Sequence, residues 1–160
     1  METLLQQLEQ SIPELARREI LSRFEKITYR IKADGSLVTD ADEAMQQAIC
    51  TLLHQMTPGV PVLGEEMTQA EQQAILDRHD EAVWVIDPLD GTTNFSMGIP
   101  IFSVSIALLQ DNHVKLGMIY DPVRGESFSA VHQQGAFLNQ QPLSINKNTR
   151  TMKRAIAQVD

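Results

Sequence analysis

The sequence predicts an α+β fold in which layered helices pack on an antiparallel sheet. Three observations carry this. Ala41, Ala44, Met45, Ala48, Ile49, Leu52, Leu53 and Met56 form an apolar stripe at helix spacing in the first half of the chain. Phe102, Val104, Ile106 and Leu108 alternate with Ser103, Ser105 and Ala107, as in a strand with one buried face. Turn signals at Asp111-Asn112 and Pro122–Gly125 then separate further short apolar runs, which reads as a meander. Helices followed by strands give segregated α+β layers.

In chain order, Leu4, Leu5 and Leu8 suggest a short first helix. Ser11-Ile12-Pro13-Glu14 reads as a restart, with Ser11 as N-cap, Glu14 three residues on and Pro13 in the first turn. Leu15, Ala16, Ile20 and Phe24 continue an apolar face. Ile27–Lys32 alternates like a strand, and Asp34-Gly35 turns the chain. Thr39 is placed to cap the long helix, which puts Asp42 in its first turn, where the dipole favours an anion. Pro58 and Gly59 end that helix. Val60–Leu63 is a short strand running into Gly64-Glu65-Glu66, and Thr68 with Glu71 opens a helix to about Leu76. Val83–Ile86 is a continuous apolar run, expected to be a strand buried on both faces. Val114–Tyr120, Ser127–Val131 and Ala136–Leu138 complete the meander. Lys147–Arg154 holds four basic residues and no acid and reads as a linker; Ala155–Val159 alternates like the beginning of another strand.

At 160 residues the chain is one domain by length. Hydrophobic residues at 42% and charged residues at 21% are ordinary for a soluble globular protein. A net charge of -8 leaves no large basic surface, so no nucleic-acid partner is expected. Cys50, the single cysteine, excludes an internal disulfide and a thiolate metal cluster, and suits a reducing cytoplasm. The apolar runs near Val83–Ile86 and Ile101–Leu109 are too short to cross a bilayer as a helix, and the first residues lack signal-peptide order, so no membrane partner is expected.

The chemistry is concentrated in residues 83–95, where an apolar run meets Asp87 and Asp90 and then Gly91-Thr92-Thr93. Glu65 and Glu66 follow another apolar run. If the two strands are neighbours, three or four carboxylates meet and need a countercharge. The donors are all oxygens with no His or Cys nearby in sequence, which selects magnesium; the Leu89 carbonyl adds a further oxygen. Gly91 lets a ligand approach the backbone, and Thr92 and Thr93 begin a helical turn whose N–H groups face an anion. The Thr92 hydroxyl can orient an attacking water if an acid takes its proton, and Asp42 is the choice for that acid. An isolated Asp-x-x-Asp is more often a solvated turn; the attached Gly-Thr-Thr shifts the reading to metal-assisted attack on a phosphate ester.

These residues resemble the inositol monophosphatase family, within the magnesium-dependent, lithium-sensitive phosphatases. The likeness runs from Lys32 to about Leu143. It rests on Lys32-x-Asp34-x-Ser36-x-Val38-Thr39-x-Ala41-Asp42, on Gly64-Glu65-Glu66, and on Trp84-Val85-Ile86-Asp87-Pro88-Leu89-Asp90-Gly91-Thr92-Thr93-Asn94-Phe95. The resemblance implies the N-terminal domain of the inositol monophosphatase and fructose-bisphosphatase type of sugar phosphatase fold, with two or three Mg2+ ions. Glu65, Asp87 and the Leu89 carbonyl would bind the first, Asp87 and Asp90 the second. Glu66 would touch a weak third ion or flank the site. Thr92 paired with Asp42 would activate the attacking water, and Gly91, Thr92 and Thr93 would hold the phosphate, with no phosphoenzyme. Lys32 and Asp34 are assigned to loop positioning.

The expected substrate is myo-inositol monophosphate, because Gly91-Thr92-Thr93-Asn94-Phe95 looks closer to inositol monophosphatases than to nucleotide-phosphate phosphatases, where Lys-Glu-Phe is common. Fructose 1,6-bisphosphate, histidinol phosphate and NADP stay open. Members of the family carry a second α/β domain with a Trp-Asp motif that completes the metal site and supplies most substrate contacts. Nothing in the 160 residues matches it. Residues 1–146 are therefore expected to be a metal-binding phosphatase domain, and 147–160 a linker and first strand of the next. The family also implies a homodimer in the full-length form. On this reading the chain alone binds magnesium weakly and hydrolyses poorly. Two other readings compete with this one. A haloacid-dehalogenase-type phosphatase needs a nucleophilic Asp two positions before its acid–base Asp, whereas Asp87 and Asp90 are three apart. A non-catalytic fragment serving as a binding or assembly module is the alternative from outside enzymology.

Overall fold

The computed structural model describes residues 1–24, 29–31, 37–78, 82–111 and 113–144. The Asp34-Gly35 turn, the ends of the Ile27–Lys32 strand, and the linker and strand expected at 147–160 lie outside them.

The first helix, α1 (Glu2–Ala16), is continuous, so the expected restart at Ser11 does not occur. Leu5, Leu8, Ile12 and Ala16 keep one buried stripe straight through Pro13. Pro13 costs the helix about 3 kcal/mol. Burying Leu5, Leu8 and Ile12 is worth about 1.5–3 kcal/mol each, so packing wins. A π-helical turn (Arg17–Leu21) and the short α2 (Ser22–Phe24) extend the run and bury Ile20. Strands β1 (Tyr29–Ile31) and β2 (Leu37–Thr39) form a separate antiparallel pair. The sequence reading gave Thr39 only a capping role and missed β2.

Thr39 does cap α3 (Asp40–Met56), its hydroxyl accepting from the Ala41 N–H at 3.2 Å. The buried arc of α3 includes Met45, Ile49 and Leu53 as expected. It also takes in Asp42, and Cys50 packs against the core. That burial raises the Cys50 thiol pKa, which disfavours the nucleophilic thiolate.

The main sheet has seven strands in chain order: β3 (Val62–Gly64), β4 (Ala82–Asp90), β5 (Ser103–Gln110), β6 (His113–Asp121), β7 (Glu126–Val131), β8 (Gly135–Leu138) and β9 (Gln141–Pro142). From β4 onward every pairing is antiparallel. β3 and β4 are parallel and are joined through α4 (Gln69–Leu76), which Thr68 and Glu71 cap as expected. Helices α1 and α3 share one core with the sheet residues Trp84, Ile86, Val104, Ile106, Leu108, Leu116 and Met118. Trp84 is wholly buried and its indole N–H donates to the Thr57 hydroxyl at 2.8 Å, so no donor is stranded.

Strand β4 is not buried on both faces. Val83 and Val85 are half-buried, and on the same sheet Ile119 and Phe128 are exposed. An apolar residue at every position hides which face is covered, because the strand period of two is lost from the sequence. No described helix is long and apolar enough to cross a membrane.

Candidate active site

Parallel pairing aligns Val62 with Trp84 and Gly64 with Ile86, so the next residues of both strands emerge side by side. Those residues are Glu65 and Asp87. The Glu65 N–H donates to the Ile86 carbonyl at 3.2 Å, which extends the ladder to the acid itself. Asp87 and Asp90 lie within β4, not beyond its end as the sequence suggested. Asp87 stands opposite Ser105 and Asp90 opposite Ser103, with a register shift between them. Pro88 has no N–H to give the ladder, and a bulge is where a strand tolerates that. The Asp87 carboxylate accepts from the Leu89 N–H at 3.1 Å.

Gly91 follows with φ 95°, in the left-handed region. A Cβ there would stand 3.0 Å from the Ile101 carbonyl oxygen and 3.3 Å from Phe102, so the turn needs glycine twice over. It caps α5 (Thr92–Ser96), whose first backbone bond runs from the Phe95 N–H to the Gly91 carbonyl at 2.9 Å. The N–H groups of Thr92 and Thr93 precede that ladder. Phe95 anchors the turn in a three-ring cluster with Phe24 and Phe102, centroids 5.1–5.3 Å apart.

Thr92 and Asp42 meet as expected. The Thr92 hydroxyl donates to Asp42 Oδ1 at 2.8 Å, and the Leu89 carbonyl lies 3.0 Å from the same hydroxyl. Asp42 is 1% exposed. Its other oxygen accepts from the Thr39 N–H at 2.8 Å and from the Thr39 hydroxyl, so the helix cap itself orients the carboxylate toward Thr92.

Burial, the Glu65 charge and a hydrogen bond with Glu65, and then the Asp90 charge, push Asp87 up to about 7. A cation beside Glu65 and Asp87 would relieve the repulsion that raises this pKa. The donor set (Glu65, Asp87, Asp90 and the Leu89 carbonyl) is all hard oxygen and fits magnesium. Among the described residues no group of three or more Asp, Glu, His or Cys side chains is arranged to hold a metal ion, so the three or four carboxylates expected to meet do not form a set here. Asp90 is exposed at the strand end, while Glu66 is half-buried beside Glu65.

The folded pKa of Asp87 exceeds its ordinary 3.8. Its contribution to stability is therefore complete below about pH 4 and is lost as pH rises through about 7. Metal-free protein should lose melting temperature across that window, and Asp87→Asn should flatten the slope. Magnesium, competing with the proton, should raise the melting temperature more at pH 8 than at pH 6. Thermal denaturation with and without about 10 mM magnesium checks both.

Sequence reading missed Gln46 and Gln72. Gln46 lies one helical turn beyond Asp42, and that i, i+4 relation was the available signal. Its side-chain oxygen accepts from the Glu66 N–H at 3.0 Å. The Gln72 amide donates to the Gly64 carbonyl at 2.9 Å.

Known proteins share this architecture. The family whose sequence profile matches residues 2–159 is described as the inositol monophosphatase family. Inositol monophosphatase 2 of Solanum lycopersicum is 37% identical over 121 residues, 76% of this chain and 45% of that protein. Nus factor SuhB of Pasteurella multocida is 38% identical over 115 residues, 72% of this chain and 41% of that protein. The crystal structure of the extragenic suppressor protein suhB from Bartonella henselae superposes with a TM-score of 0.79 at 29% identity, covering 92% of this chain and 56% of that one. The chain spans less than half the length of these two curated relatives.

Proposed function

The chain belongs to the inositol monophosphatase family, and from that premise we propose that it carries the metal and water-activating half of a magnesium-dependent phosphomonoesterase. The proposed substrate is a small phosphate ester, myo-inositol monophosphate first. Residues 1–146 form the metal-binding domain in this proposal. The observation that carries it is the Thr92–Asp42 hydrogen bond, 2.8 Å long between residues fifty apart in sequence, beside paired Glu65 and Asp87.

Glu65, Asp87, Asp90 and the Leu89 carbonyl would hold two magnesium ions, with Glu66 beside a weaker third. Magnesium, when bound, neutralises the carboxylates and phosphate and makes a water acidic enough to attack. The chain's own groups do the rest. Thr92 Oγ1 accepts a proton from the attacking water as its own proton passes to Asp42 Oδ1, which the Thr39 N–H and hydroxyl hold in place. The N–H groups of Gly91, Thr92 and Thr93 bind phosphate oxygens. The water attacks phosphorus in line, the ester P–O bond breaks, and the leaving alkoxide takes up a proton from solvent, with no phosphoenzyme formed. A solved IMPase/NADP phosphatase in complex with Mg2+ and phosphate, 25% identical with a TM-score of 0.65, supports both the metal and the phosphate.

Lithium sensitivity, a cytoplasmic location and a homodimer belong to the same proposal; the single Cys50 supports the location. A panel of myo-inositol monophosphate, fructose 1,6-bisphosphate, histidinol phosphate and NADP, assayed for magnesium-dependent and lithium-inhibited phosphate release, tests it. Release from inositol phosphate above the others is expected; magnesium-independent release would sink the metal role. The second reading is a non-catalytic binding or assembly module. It is favoured by relatives named as Nus factors rather than as phosphatases, and no release from any ester together with no divalent-cation binding would select it.

A further inference from the structure

The turn bearing Glu65 is held from both sides. The peptide group before Glu65 offers the Gly64 carbonyl, which accepts from the Gln72 amide at 2.9 Å. The peptide group after it offers the Glu66 N–H, which donates to Gln46 Oε1 at 3.0 Å. The two glutamines come from different helices, α3 and α4. The Glu65 N–H is already bound to β4 through Ile86. Both soft torsions of Glu65 therefore lie between fixed planes, so the direction in which its side chain leaves the backbone, toward the end of β4, is set before any ligand arrives.

Gly64 makes the Gln46 contact possible. A Cβ at position 64 would sit 2.4 Å from Gln46 Oε1 and 2.9 Å from its Cδ, so the glutamine head group occupies the space a side chain would take. No other described glycine is approached this closely. Gln46 is half-buried and stands one turn from Asp42 on α3. The same rigid helix thus holds Thr92 through Asp42 and Glu65 through Gln46.

We propose that Gln46 is a positioning residue that, with Gln72, fixes Glu65 against Asp87 and so sets divalent-cation affinity. The proposal rests on the reading of Glu65 and Asp87 as metal ligands. Its chemistry requires an acceptor at position 46, because the atom it holds is a backbone N–H. Glutamate can replace glutamine in that role, whereas alanine cannot. Groups that orient a ligand in this way commonly change metal affinity by about 10–100-fold when removed.

The test is titration calorimetry with Mn2+ on the 160-residue chain, together with hydrogen exchange of the Glu66 amide in metal-free protein. Gln46→Ala should weaken Mn2+ binding about tenfold and speed exchange at Glu66. Gln46→Glu should restore both. Gln72→Ala should weaken Mn2+ binding and leave the Glu66 amide protected. Absence of Mn2+ binding in the unaltered chain would overturn the metal reading, and the proposal with it. Binding in the unaltered chain at the same affinity as in Gln46→Ala would overturn the positioning role alone. An equal loss in Gln46→Ala and Gln46→Glu would assign position 46 to packing.

Discussion

Replacing Thr92 by alanine is expected to lower turnover about 100–10,000-fold while leaving divalent-cation binding within about twofold. The hydroxyl is the atom in contact with Asp42 Oδ1. Without it the water loses its proton acceptor, and Asp42, 1% exposed, keeps its partners at Thr39. The fold should survive, because α5 is tied down by Phe95 and Gly91 rather than by the Thr92 hydroxyl. Thr92→Ser retains the hydroxyl and should recover most of the rate. Steady-state kinetics on a magnesium-supplemented phosphate ester decide the matter. An unchanged kcat in Thr92→Ala would remove Thr92 and Asp42 from the proposed chemistry together.

Phe95→Ala is expected to give the largest loss of stability among substitutions near the site. Phe95 is 1% exposed and touches Phe24 and Phe102 at centroid distances of 5.3 and 5.2 Å. Removing a buried phenylalanine costs about 3–5 kcal/mol through lost burial and the cavity left behind. For a chain of this size each kcal/mol moves the melting temperature by about 2–4 °C, so a fall of about 6–20 °C should be seen by circular dichroism. The ring anchors the turn that presents the Thr92 and Thr93 N–H groups, so phosphate affinity should weaken in the same variant. Phe95→Leu, which refills most of the volume, should lose markedly less. A melting temperature unmoved by Phe95→Ala would show that the three rings do not hold the turn.

The site was legible in the sequence where polar chemistry interrupts an apolar run. Val60–Leu63 and Val83–Ile86 each end in acids, and pairing them in parallel brings Glu65 beside Asp87. Thr39 announced the start of α3 and hence the place of Asp42 in its first turn. Apolar periodicity failed where burial is not apolar. Asp42, Gln46 and Cys50 occupy one line of α3 against the sheet, yet a search for hydrophobic stripes passes over all three. Pro13 signalled a helix start, but local propensity was weaker than the stripe Leu5, Leu8, Ile12 and Ala16. Pro88 and the two acids looked like the end of a strand because the bulge that accommodates them depends on β5. The clamp on Glu65 needs contacts among α3, β3 and α4, separations no local pattern encodes.

Anomalous diffraction from a crystal soaked in Mn2+ tests the central claim most directly. The account predicts a manganese peak with carboxylate oxygens of Glu65 and Asp87 and the Leu89 carbonyl within about 2.5 Å, and Asp90 drawn to a second peak. Glu65 and Asp87 turned away from one another with no anomalous density between them would contradict it.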